Sequence, residues 1–416
     1  VAKIAAELRN QMNTMANQDL IPVIVRRKAG VFRSQTLPSE VEIEHAFELI
    51  PGEAIKVRPA IIEQLGQRDD IEHIWPDLPV YACLNSSAPK INVPRVWAAT
   101  GWRGQGIKVA IIDTGIDLAH PDFAGRIMAS KSFVGGPAKD ENGHGTHVAG
   151  IVAGSGAQAH GKYVGVAPAA LLYVAKVLDA RGGGVMSGVM AGIEWAVLEQ
   201  QVHIINLSLG GTGSGDGSDA LSTLCDEAVT QAGVVVCVAA GNSGPGERTI
   251  GSPGCARRVI TVGAATDQDR IAAFSSRGPT VDGRIKPDIC FPGVDIIAAQ
   301  AEGTRLGTVV EAGYVTANGT SMATPHATGV AALMLEANPA LTAEQVKTIL
   351  LAAAVNLGAQ PNEQGVGRGD AWAAIQHATQ PGLGPLPTPQ PTVPPPPPQP
   401  QPQPSGCLGS LFSRRR

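Results

Sequence analysis

Lys108-Val109-Ala110-Ile111-Ile112-Asp113-Thr114-Gly115 is the stretch on which the fold turns. A nearly unbroken apolar run that ends in an acid and a glycine predicts a strand covered on both faces, stopping at a polar turn. Runs of the same kind recur at 170–177, 203–207, 234–240 and 259–262. Helical stretches lie between and after them, at 186–199, 219–231, 325–337 and 342–354. Strand and helix in alternation predict an α/β domain: a doubly wound, mostly parallel sheet with helices on both faces. In such a sheet, polar residues at the carboxyl ends of strands face the crevice where ligands bind.

Asp113 is one of these residues. A carboxylate at the end of a buried strand needs hydrogen-bonding neighbours, or it is costly. A second place is Asn142-Gly143-His144-Gly145-Thr146-His147, where glycines on both sides of His144 allow close backbone approach. The small residues that follow predict a tightly packed helix. His147, one helical turn on, has the spacing of a metal pair, but no H-E-x-x-H pattern supplies further ligands. It reads as a packed, hydrogen-bonded histidine. The third place is Asn318-Gly319-Thr320-Ser321-Met322-Ala323-Thr324-Pro325-His326. Proline suits the first turn of a helix, which puts Ser321 at or just before a helix N-terminus, where free amides favour an oxyanion. A fourth, Gly241-Asn242-Ser243, brings a neutral amide donor to the end of the run 234–240. Together these offer a serine nucleophile, a histidine base, an orienting aspartate and an oxyanion donor.

At these residues the chain resembles the subtilisin-like serine protease family. The likeness covers about 95–355: Asp-Thr-Gly at Asp113, His-Gly-Thr-His from His144 and Gly-Thr-Ser-Met-Ala-Thr-Pro from Gly319, in the order Asp, His, Ser. Ser275-Ser276-Arg277-Gly278-Pro279 and Lys286-Pro287-Asp288 match as well. The resemblance implies that Asp113, His144 and Ser321 are the triad and Asn242 the side-chain oxyanion donor. It implies an endopeptidase that works through an acyl-enzyme on Ser321. An extended substrate would lie along Ser208, Leu209 and Gly210, beside a pocket walled by Ala239, Ala240 and Gly241. Gly210, Gly241 and Gly251 would keep that pocket roomy, for large apolar residues before the cut. Arg181-Gly182-Gly183-Gly184 would form the opposite rim.

No cofactor is needed for this chemistry. A structural calcium ion is a further expectation, since Asp122 matches a calcium-site position, although 154–162 lacks the usual asparagine-rich loop. Asp216 and Asp219 suit either another ion or a surface loop. The competing readings are a catalytically inactive peptide-binding protein on the same fold and an esterase; the latter lacks the G-x-S-x-G elbow.

The first 88 residues predict a small α+β domain: strands around 20–28 and 71–75, an alternating stretch at 46–57 around the turn Pro51-Gly52-Glu53, a short helix at 59–65, and an exposed linker at 86–90. By resemblance this is a propeptide that assists folding, inhibits, and is cut off by the enzyme itself within about 78–90. The catalytic domain is placed at 89–380. In 381–404, 13 of 24 residues are proline, which predicts an extended spacer, so 381–416 reads as a disordered tail. With 32 basic and 36 acidic residues, nothing favours nucleic acid as a partner. No run has the length and apolarity of a membrane-spanning helix. The six cysteines read mostly as buried thiols. The expected partners are protein or peptide substrates and the chain's own propeptide. The expected state is a monomer acting outside the cell, with the cytoplasm as the alternative, since no signal peptide is visible.

Overall fold

The computed structural model describes residues 3–5, 8–9, 12–13, 18–28, 41–47, 52–76 and 87–380. They fall into two compact units, Val1–Tyr81 and Ala82–Arg416. The expected tail at 381–416 lies outside the described residues, as do Cys83, Cys407 and the turn at Pro51.

The first unit is an antiparallel sheet of β1 (Ile21–Arg27), β2 (Glu42–Phe47), β3 (Gly52–Val57) and β4 (Ile71–Pro76), in the order β2-β3-β1-β4. Burial alternates along β1, the period of a strand with one covered face. Helix α1 (Pro59–Gln67) opens on a proline, whose missing donor does no harm there. It lays Ile62 and Leu65 into a core with Val23, Ile55 and Ile74. Arg27, buried, pairs with Glu53 at 3.1 Å and Asp70 at 2.8 Å.

The second unit opens with two helices, α2 (Ser87–Lys90) and α3 (Val93–Thr100). This corrects the expected linker at 86–90. Ser87 and Ala88 are buried, and the Ser87 hydroxyl meets His326 Nε2 at 2.9 Å. Polar composition suggested exposure, but two small side chains fit beneath a packed helix.

The central sheet contains β5 (Lys108–Asp113), β6 (Ile127–Ser132), β7 (Leu171–Lys176), β8 (Ile204–Leu207), β9 (Val235–Ala239), β10 (Ile260–Ala265) and β11 (Ile289–Pro292). All seven run parallel in the order β11-β10-β9-β8-β5-β7-β6. Val109 to Ile112 are fully buried, and covering each branched side chain contributes about 1.5–3 kcal/mol. After β5 the chain builds β6 and β7 on one side, then crosses to build β8 through β11 on the other. The reversal opens a crevice between the carboxyl ends of β5 and β8.

Four helices complete the layers: α4 (His144–Ala153), α5 (Met186–Glu194), α6 (Ala220–Thr230) and the long α7 (Thr320–Ala337). Helix α7 lies along β8 to β11 and packs on α4. Helix α5 was expected to reach 199 but changes to a π-helical turn at Trp195–Glu199. A small antiparallel sheet of β12 (Ile296–Ala299), β13 (Thr308–Glu311) and β14 (Tyr314–Ala317) precedes α7. Helices α8 (Ala343–Ala352), α9 (Pro361–Gln364) and α10 (Ala371–Ala378) close the unit. Between β10 and β11, the buried Lys286 donates to Thr261 Oγ1 and Asp288 Oδ2, both at 2.7 Å. Cys225, Cys237, Cys255 and Cys290 are buried free thiols, as expected of small apolar groups.

Candidate active site

Asp113 ends β5 with its side chain fully buried, and its Oδ1 accepts from the Thr114 amide at 2.7 Å. The same oxygen meets His144 Nδ1 at 2.7 Å. His144 opens α4, where Gly145 lies so close to β5's turn that a Cβ would meet the Gly115 carbonyl at 2.2 Å. The flanking glycine is therefore a packing requirement. Burial alone would push the His144 pKa down, but the charge and hydrogen bond of Asp113, with the charge of Asp140, leave it raised above its ordinary value. With Nδ1–H held by Asp113, the lone pair of Nε2 is free to act as a base.

Ser321 lies in the first turn of α7, as expected, but Pro325 does not. It sits inside the helix, in the second turn. Lacking an N–H, Pro325 gives nothing to the carbonyl four residues back, which is that of Ser321. The hydroxyl of Ser208, just past β8, donates to that carbonyl at 2.8 Å. The Ser321 hydroxyl in turn donates to the Ser208 carbonyl at 3.1 Å rather than to His144. Asn242, three residues past β9, accepts through Oδ1 from the Thr320 amide at 2.9 Å and the Thr320 hydroxyl at 3.0 Å. Two donors on the oxygen settle which way the amide points and leave Nδ2 free at the start of α7. His144, Asn242 and Ser321 all line one cleft of about 880 Å³.

The subtilase family profile matches residues 104–368. The chain belongs to the subtilase family. It is 44% identical to serine protease AprX of Bacillus subtilis (strain 168) over 334 residues, covering 74% of this chain and 75% of that protein. Subtilisin E of the same strain is 39% identical over 297 residues, 70% of each chain. M-protease of Shouchella clausii (strain KSM-K16) is 37% identical over 344 residues, 81% of this chain and 82% of the other. By its family the chain is a subtilisin-like serine endopeptidase.

The cleft of this subtilase is lined by Ser208, Leu209, Gly210, Ala239 and Gly241, as the sequence predicted, and by Gly182, Gly183 and Gly184 on the rim. Two expected wall residues are not on its surface. Ala240 packs inward on Ile250 and Cys255. Gly251 is buried, and a Cβ there would meet the Gly211 carbonyl at 2.4 Å, so the backbone after β8 closes over it. Leu221, Thr249 and Ser252 line the pocket instead. No local signal marked them, because α6 and the loop before β10 meet here only in the fold. Asp219, once a candidate ion ligand, caps the N-terminus of α6 and takes the Ser252 hydroxyl at 2.6 Å. Asp216 accepts from the amide and hydroxyl of Ser218 in its own turn.

His147 is a packed histidine: Nε2 faces the carbonyls of Ile296 and Val315 at 3.1 and 3.2 Å, and burial lowers its pKa to about 4. Asp122 does not by itself make the expected calcium site. Its Oδ1 accepts from the Tyr314 hydroxyl at 2.8 Å and the Gln158 amide at 3.3 Å. Its Oδ2 is buried without a partner. Among the described residues no three acidic, histidine or cysteine side chains converge, whereas calcium takes six to eight oxygens.

Proposed function

We propose that this subtilase is a self-processed zymogen whose mature form cleaves proteins and peptides through an acyl-enzyme on Ser321. The observation that carries the reading is the short Asp113–His144 hydrogen bond opening onto the same cleft as Ser321 and Asn242. Rotation of the Ser321 hydroxyl away from Ser208 gives its proton to His144 Nε2. Oγ then bonds to the scissile carbonyl carbon. Asn242 Nδ2 and the Ser321 amide, one of the first-turn N–H groups that a helix leaves unused, receive the negative oxygen. The imidazolium, held by Asp113, protonates the departing amine as the C–N bond breaks. Water then repeats the sequence and releases the acid.

An extended substrate would pair with the backbone at Ser208 to Gly210, which tolerates many sequences. Among the described residues no carboxylate lines the pocket, and Leu221, Ala239 and the glycines suit a large apolar residue before the cut. The unit Val1–Tyr81 has the size and α/β content of an inhibitory propeptide. Cleavage upstream of Ser87 belongs to this reading, and the burial of Ser87 and Ala88 in the second unit supports it. The propeptide and the proline-rich spacer suit a monomer released outside the cell; recovery of the protein only from cell extract would overturn that part.

A fluorophosphonate probe decides the central point. Labelling at Ser321 in the mature chain, lost in Ser321→Ala, is expected. No labelling would leave a peptide-binding protein on this fold. Ester turnover without peptide turnover would leave an esterase.

A further inference from the structure

Asp140 lies in the loop before α4 and is completely buried. Its Oδ1 accepts from the Thr114 hydroxyl at 2.9 Å, the Asn142 amide at 3.0 Å and the Gly143 amide at 2.8 Å. Its Oδ2 accepts from the amide and hydroxyl of Thr146 at 2.8 and 2.7 Å. The direction of both hydroxyl protons is fixed. Thr114 Oγ1 already accepts from the Gly145 amide at 2.8 Å, and Thr146 Oγ1 from the Asp117 amide at 2.9 Å. All five donors belong to the segments that carry Asp113 and His144. Among the described residues no cation pairs with Asp140, so its charge is held by dipoles alone, at the N-terminus of the helix that His144 opens.

We infer that Asp140 is a positioning residue for the catalytic pair: it clamps the loop of His144 to the strand end of Asp113 and adds a second negative charge beside the base. This rests on the protease reading. Two carboxylates then stabilise the imidazolium that forms during acylation, one by direct contact and one across the loop. The other charged groups around the pair are few. Lys176, at the end of β7, donates to the Thr114 carbonyl at 2.7 Å and lies 3.7 Å from Glu141, so it opposes the two acids. Asp117 holds backbone amides of Ala119 and Glu302. His147 is buried one turn further on, and Arg181 stands at the rim of the cleft.

The test is the pH dependence of kcat/KM for the mature wild type, Asp140→Asn, Thr114→Val and Thr114→Ser, with fluorophosphonate labelling run beside it. Asp140→Asn is expected to move the acid limb down by about half a pH unit or more, with a fall in kcat/KM. Thr114→Val keeps the charge but cuts the hydroxyl bridge. It is expected to lose about tenfold in kcat/KM with the limb unmoved, and Thr114→Ser to recover it. If Asp140→Asn does not fold, the Thr114 pair decides. A wild type that labels, with an unmoved limb in Asp140→Asn or full kcat/KM in Thr114→Val, overturns the inference and leaves the protease reading intact. A wild type that never labels overturns that reading first.

Discussion

Asp113 and His144 are 31 positions apart, and their 2.7 Å contact supplies the base of the proposed reaction. The raised pKa of His144 has a direct kinetic consequence, since only the neutral imidazole accepts the serine proton. The acid limb of kcat/KM is expected above pH 6.5, the ordinary histidine value, and a limb below it would contradict the geometry. Asn242→Ala is expected to lower kcat by about 10²–10³-fold, a magnitude taken from loss of this donor in subtilisin, while KM changes little. These residues were legible in the sequence because each sits in a short glycine-containing motif, with Asp113 and Asn242 at the ends of apolar runs. Asp140 was not, because the Thr114 hydroxyl that ties its loop to β5 arrives only in the fold, and nothing in Lys139-Asp140-Glu141 distinguishes a buried acid from a solvated one.

At the scale of the element, α7 carries both Ser321, the proposed nucleophile, and an internal proline. Ser208→Ala leaves the Ser321 carbonyl without its donor, and a loss of about 1–3 kcal/mol in denaturant unfolding is expected. The loss should shrink when Pro325→Ala is combined with it, because the restored amide reaches the same carbonyl; an undiminished loss would show that Ser208 acts otherwise. Helix α7 also buries His326, whose Nδ1 faces the Met322 carbonyl at 2.8 Å and whose pKa burial lowers to about 4. The unfolded chain, titrating near 6.5, binds more protons between pH 6.5 and 4, so stability falls as the pH drops through that window and is intact above it. Each of His326 and His147 accounts for about 3 kcal/mol by pH 4. Unfolding at pH 7 and pH 4.5 measures it, and a Gln at 326 should flatten the slope. The sequence placed α7 but began it too late, because proline is commonest in the first turn and here an external hydroxyl makes the second turn tolerable. Strand β6 was missed for another reason. Ile127–Ser132 is a half-exposed edge with no apolar run to announce it.

For the whole molecule, removal of residues 1–86 would lower the intact mass by about 9 kDa, taken as that share of 42.8 kDa over 416 residues. The shift is expected in the wild type and absent in Ser321→Ala. Chelation is expected to leave the melting temperature of the mature enzyme unchanged, since the side chains around Asp122 do not form a calcium cage; a large drop would mean that backbone oxygens complete one. The five central strands, β5 and β7 to β10, were legible because buried parallel strands are written as continuous apolar runs, whereas the edge strands β6 and β11 were not. The close approach of Gly211 to Gly251 behind the cleft depended on the path of the loop after β8, which no periodicity encodes. The bond between Ser87 and His326 reaches further than its 2.9 Å suggests. It ties α2, which starts the second unit's described residues and under the proposed processing lies just inside the new N-terminus, to the helix that bears Ser321. A peptidase that trimmed past Ser87 would strip a buried histidine of one of its two partners, so over-digestion is expected to loosen the middle of that helix.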